Sequence, residues 1–187
     1  MPQTLLVVAS VIVLSLFGLN RHRAELADER AGIGLEIEGA ALAVGERWTG
    51  IARDLAFDEA DVGSAQIRLA GNVTGLSATL GREAGESLAD LTTLDDVDDL
   101  NGLGTTETTA AGSGVVSFTV TARAKYAVPR TWADSPSNAP TTAKIVEVVV
   151  TEVTTGTTGT TGVTGRPPVR VTLPVRLSAP LQYTRAR

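Results

Sequence analysis

The chain has 187 residues with sixteen Lys and Arg against twenty-one Asp and Glu, a net charge of −5, one histidine and no cysteine. That balance argues against nucleic acid as a partner, because phosphates demand a basic surface. The absence of cysteine excludes a disulfide framework, a thiolate nucleophile and a Cys-based metal site.

Residues 5–57 read as one long helix in two chemically different halves. The first, TLLVVASVIVLSLFGL at 4–19, is uncharged and apolar on every face, which suits lipid or the inside of a helix bundle. Its candidate packing residues are Leu5, Leu6, Val7, Val8, Val11, Ile12, Val13, Leu14, Leu16, Phe17 and Leu19. The run is just long enough to cross a bilayer, which takes about twenty residues. A secretory signal is the alternative, but Met1-Pro2-Gln3-Thr4 has no positive side chain and no small-x-small cleavage site precedes a loop, so the run reads as retained. Arg21, His22 and Arg23 follow the span, and the positive-inside tendency would hold that side in the cytoplasm.

The second half is amphipathic. Ile33, Ile37, Ala41, Val44, Trp48, Ile51 and Leu55 recur at three- and four-residue steps, with Glu36, Glu38, Glu46, Arg47, Arg53 and Asp54 between them. Ile33, Ile37, Val44, Trp48, Ile51 and Leu55 are therefore the expected helix–sheet core. Glycines at 32, 34, 39, 45 and 50 each cost about 1 kcal/mol relative to alanine in a helix interior, and close packing is the expected return. Some fifty helical residues make a rod of about 75–80 Å. A head of roughly 120 residues has no use for that length, so the front half is expected to pack against other copies. The organisation is then 1–24, an apolar transmembrane or filament-core helix; 25–57, its amphipathic continuation; and 58–187, a globular head.

Within the head, 58–114 is rich in Gly, Thr, Ser and Asp and reads as a loop region with one short helix near 83–91. The period then becomes two, the mark of half-buried strands. Val116, Phe118, Val120 and Ala122 alternate with polar residues, Val146, Val148 and Val150 share a face, and Val169, Val171, Leu173, Val175 and Leu177 share another. An antiparallel sheet across 115–179 is expected, with Pro174 marking an edge or bulge. The triplet repeat at 154–165 reads as a hairpin tip, and 129–142, with Trp132, Pro136 and Pro140, as an ordered surface loop.

Chemistry-bearing residues are few. Asp95, Asp96, Asp98, Asp99 and Asn101 before Gly102 form the densest ligand cluster, and calcium is the ion such oxygens would take. Val97 stands where the standard calcium loop needs an acid, which favours a solvated acidic turn and no cofactor. His22 abuts the apolar span, and no G-x-S-x-G, phosphate loop or paired histidines appear, so the chain reads as a non-enzyme. Asn72-Val73-Thr74 fits the N-glycosylation pattern, although a plain solvated loop is the simpler reading. Trp48 is the expected anchor between helix and sheet, and Trp132 and Tyr183 are candidate subunit contacts.

An uncharged helix running into an amphipathic half, an irregular loop and a C-terminal antiparallel sheet resembles the type IV pilin and type II secretion pseudopilin superfamily. LAFDEADV at the helix end, TLDDVDDLNG before the sheet, and KIVEVVV with VRVTLPVRL in the closing hairpin are similar to minor-pilin-type proteins. Met1 and Leu5 stand where pilins carry an aromatic residue and a pairing glutamate, a departure that bears on processing and assembly chemistry more than on the fold. The resemblance implies an α+β, pilin-like fold and a structural subunit of a type IV pilus-like filament used for adhesion, motility or surface contact. It implies a helical homo-oligomer at the cell surface, anchored in the inner membrane before assembly. A membrane-anchored monomeric binding module and a minor pseudopilin of a secretion system are the competing expectations.

Overall fold

A single α-helix, α1 (Pro2–Asp54, 53 residues), leads the computed structural model, which describes residues 2–62, 68–69, 72–88, 90–112, 114–153, 167–179 and 181–182. Behind it come β1 (Arg68–Leu69), β2 (Leu103–Ala111), β3 (Gly114–Tyr126), β4 (Ala143–Glu152), β5 (Arg170–Ser178) and β6 (Leu181–Gln182). Strands β2-β3-β4-β5 form one antiparallel sheet in chain order, and β1 pairs with β6 in parallel. The fold is α+β, a long N-terminal helix packed on a C-terminal antiparallel sheet.

The sheet's period-two alternation decides which side meets the helix. Phe118, Val120, Ala122, Ala124 and Tyr126 of β3, Val146, Val148 and Val150 of β4, and Val175 of β5 are buried on one face. They form one core with Ile37, Ala41, Val44, Trp48 and Ala52, spaced by four, three, four and four along α1. Ala41 and Ala52 are fully buried, so small side chains bring the helix down onto the sheet. At Gly45 an added Cβ would lie 2.5 Å from Leu173 Cδ1, whereas Gly32, Gly39 and Gly50 meet nothing within 4 Å. Close packing thus accounts for Gly45 and not for those three. Gly112, at φ +58 in the β2–β3 turn, lies against the Glu36 carboxylate of α1, where a side chain would collide. Trp48 joins the elements from the other direction, its indole N–H donating to Glu107 Oε1 of β2 at 2.6 Å while Arg47 pairs with the same carboxylate.

Several expectations need correction. The helix ends at Asp54, so Leu55 lies beyond it. Leu55 and Ile51 are only partly buried against the core, and Ile33 is 36% exposed because it precedes the first turn that reaches the sheet. The sheet begins at Leu103, inside the expected loop region. The inward positions of β2 after Leu103 are Thr105, Glu107, Thr109 and Ala111, too polar to show a hydrophobic period, and pairing with β3 makes the strand. No α-helix forms among the described residues of 83–91; turns occupy that stretch before a 3₁₀ turn at Leu91–Thr93. Pro174 does lie on an edge strand, opposite Glu147. The triplet repeat at 154–165 and Tyr183 lie outside the described residues.

The loop at 129–142 covers the other face of the sheet at one end. Trp132, at φ +58, packs on Ala127, Ala143 and Ile145, and the Arg176 guanidinium sits 5.7 Å from its ring centroid. Trp132 therefore has an intramolecular role.

Because the buried stripe starts at Ile37, a chain beginning at Asp28 keeps the entire helix–sheet contact. It should be soluble and monomeric and show mixed helix and sheet by circular dichroism. A largely unfolded spectrum would mean that the head depends on the front of the helix or on neighbouring copies.

Candidate functional site: the bare apolar rod and its ionic anchor

Among the described residues, none packs on the apolar front of α1. Ten large apolar side chains from Leu6 to Leu19 are 53–72% exposed, and nothing before Ile37 joins the buried core. All of the expected packing residues from Leu6 on face solvent, and the side chain of Leu5 lies outside the described residues. By length and composition this helix is apolar enough to cross a membrane. Ser10 sits in the middle of the run with its hydroxyl donating to the Leu6 and Val7 carbonyls at 2.8 and 2.9 Å, so its polar group is satisfied inside the helix. Just beyond the run, Arg21 and Glu25 form an exposed pair one turn apart, and His22 is an exposed helix-surface residue.

The helix is fixed to the head at its foot by a buried ionic cluster. Lys144 is fully buried, and its ammonium donates three hydrogen bonds: to the Phe57 carbonyl at 2.7 Å, Asp58 Oδ2 at 2.9 Å and Asp98 Oδ1 at 2.6 Å. The rings of Phe57 and Tyr126 stand 4.7 and 5.0 Å from it. Asp58 is the hub on the other side, accepting from the Tyr126 hydroxyl at 3.0 Å and from the Ser77 amide at 3.1 and 3.2 Å. The chain leaving the helix is also held by backbone bonds, Ala56 N–H to Asp95 C=O at 3.0 Å and Val97 N–H to Ala56 C=O at 3.0 Å. Five separate stretches therefore meet at one buried cation: the helix exit, residue 77, the 95–99 turn, β3 and β4.

The acidic turn is not the solvated turn expected from its composition. Asp95 is exposed, but Asp96, Asp98 and Asp99 are buried at 0–1% exposure. Their carboxylates knit the turn: Asp96 Oδ1 accepts from the amides of Asp98 and Asp99, and Asp99 Oδ2 from those of Asp95 and Asp96. The five residues taken as one ligand set do not converge. Asp98 is on Lys144, and the Asn101 amide bridges the Leu80 carbonyl and the Ala124 N–H. Asp95 and Asp99 instead each join glutamates from other stretches, Glu59 with Glu86, and Glu83 with Glu86, respectively. Composition could not show this, since the partners lie nine or more positions away.

Burial, and next the Asp98 charge, push the Asp96 carboxyl up to about 8 against the opposing pull of Lys144. Burial also raises Asp98, to about 6, with Lys144 opposing, and raises Asp99 to about 6 with the Glu86 carboxyl adding to it. For Asp58 burial acts upward too, but the Lys144 hydrogen bond and charge, with Ser77 and Tyr126, outweigh it and hold the carboxyl below its ordinary 3.8. A depressed carboxyl contributes stability above its unfolded value that is lost as pH falls through the folded one. The head should therefore lose stability below about pH 4, and Asp58→Asn should flatten that acid limb. An acid limb unchanged in Asp58→Asn, followed by thermal melts from pH 2 to 5, would contradict the role given to this pair.

Asn72 is exposed and caps its own turn by accepting from the Thr74 amide at 3.0 Å, leaving the candidate glycosylation motif at the surface. Lys144 is the residue that sequence reading passed over. Its signal was parity: it occupies the same face as Val146, Val148 and Val150, so an inward-facing lysine needed buried acids to meet it. No protein-family model, curated protein or solved structure matches this chain.

Proposed function

We propose that the chain is a structural subunit that polymerises through residues 6–19 of α1 into a helical, pilus-like surface filament, with the sheet domains outside. The observation that carries this reading is the continuous helix whose front apolar run is exposed all round while its back half is clamped to the sheet. Isolated exposed apolar residues are ordinary on protein surfaces, but a contiguous apolar rod of this extent is an interaction surface. Burying about 1.5–3 kcal/mol per side chain over ten such residues is ample drive for association, even after the cost of ordering. A contact between different surfaces of neighbouring copies builds an open helical polymer when its rotation does not close into a ring. Before assembly the same run would hold the subunit in a membrane.

Electron microscopy of material sheared from the cell surface, with mass spectrometry of the filaments found, tests this reading. Filaments composed mainly of this chain are expected. Recovery of the chain only as a detergent-soluble monomer, with none in the sheared fraction, would instead favour a membrane-anchored binding module.

A further inference from the structure

Two sets of carboxylates come together beside the 95–99 turn, outside the Lys144 cluster. Glu83, Glu86 and Asp99 each offer an oxygen within 4.8 Å of the others, and Glu59, Glu86 and Asp95 do the same alongside. The two sets differ in one respect. Asp99 is fully buried and, although its Oδ2 accepts two turn amides, its Oδ1 has no hydrogen-bond partner. A buried carboxylate oxygen left bare beside further carboxylates is costly unless a cation, or a proton shared with Glu86, meets it. Among the described residues the basic groups close by do not supply one: Lys144 already donates to Phe57, Asp58 and Asp98, and Arg82 donates to the Asp99 backbone carbonyl at 3.2 Å.

We infer that Glu83, Glu86 and Asp99 bind one Ca²⁺, which bridges the 83–86 turn to the turn that closes the foot of the helix. Ca²⁺ takes six to eight oxygens at about 2.3–2.6 Å in flexible geometry, which carboxylates from two separate turns can supply, whereas Mg²⁺ demands a near-ideal octahedron at about 2.0–2.1 Å. Three carboxylates give three to six of the six to eight oxygens Ca²⁺ takes, and water completes the shell. Glu86 is preset for the task, its carboxylate accepting the Glu83 amide across the turn. Glu83 is exposed and Glu86 half-buried, so the site opens to solvent on the side away from Asp99.

The test is titration calorimetry of the full chain in detergent micelles, stripped with chelator and titrated with CaCl₂, alongside thermal melts. One Ca²⁺ per chain is expected, with a Kd between about 10⁻⁵ and 10⁻³ M and a melting temperature that rises with Ca²⁺ by mass action. Glu83→Gln and Glu86→Gln should each weaken binding at least tenfold while the Ca²⁺-free melting temperature does not fall below the wild-type value, because neither side chain belongs to the core and each change removes a like charge beside Asp99. Glu59→Gln should bind within threefold of wild type. No heat and no melting shift at about 5 mM Ca²⁺, well above the weak end of such sites, would overturn the inference. So would an equal response to MgCl₂, unchanged binding by Glu86→Gln, or a loss on Glu59→Gln as large as that on Glu83→Gln.

Discussion

Lys144→Met should destabilise the head by about 3–5 kcal/mol, the cost of stranding buried charges whose partner has been removed. Methionine fills most of the volume and keeps the contact with Phe57 and Tyr126, so packing alone does not account for the loss. Asp58 and Asp98, both fully buried, lose the ammonium that lies 2.9 and 2.6 Å from them. The Phe57 carbonyl at the helix exit loses its donor as well. Restoring neutrality separates a charge effect from a packing effect. In Lys144→Met combined with Asp58→Asn and Asp98→Asn, most of the loss should return, because a buried ionic group replaced as a whole is often near neutral in stability. Denaturant melts of the single and triple variants at pH 7 would measure this. A triple variant as unstable as the single one would show that the cluster holds the fold by shape rather than by charge. Lys144→Arg is not a conservative control, since a planar fork cannot reproduce three converging bonds from one nitrogen.

Val11→Asp and Leu14→Glu are expected to abolish filaments while leaving the head folded. Val11 and Leu14 are 57% and 70% exposed, and neither contributes to the helix–sheet core. The cost falls only where the rod is buried in an assembly, and an unpaired charge in such an apolar environment costs several kcal/mol. The isolated variant should therefore keep the wild-type melting temperature and circular dichroism. Filaments of normal length and abundance from either variant would remove residues 6–19 from the polymer core.

The elements with a strong period were legible in the sequence and those with none were not. The valines of β4 and the Val171-to-Leu177 alternation of β5 each place one apolar face, and the heptad-like steps of Ile37, Val44 and Trp48 place the helix against it. β2 was illegible because its inward residues are threonine and glutamate. Glu107 is accepted inside only because Trp48 and Arg47 reach it from the helix. The acidic turn shows the same limit from the other side. Five polar residues in seven positions read as a wet loop, yet Asp96, Asp98 and Asp99 are buried because the turn's own amides, and Lys144 some forty-six positions on, each meet one oxygen of these carboxylates. Long-range pairing of polar groups leaves no local pattern, and the ionic anchor and the glutamate partners of Asp95 and Asp99 are all long-range. The exposed apolar run, which needs no partner within the chain, was readable from Leu6 to Leu19.

The proposed burial of residues 6–19 between copies of this chain is directly measurable because the chain has no cysteine. Ser10→Cys places a thiol in the middle of the run, and Thr108→Cys places one on the exposed face of β2. Filaments sheared free of membrane would be treated with a water-soluble maleimide. The Ser10→Cys thiol should be protected until the filaments are dissolved in detergent, while Thr108→Cys labels at once. Labelling of both thiols at equal rates in intact, sedimentable filaments would contradict burial of the rod and with it the proposed assembly.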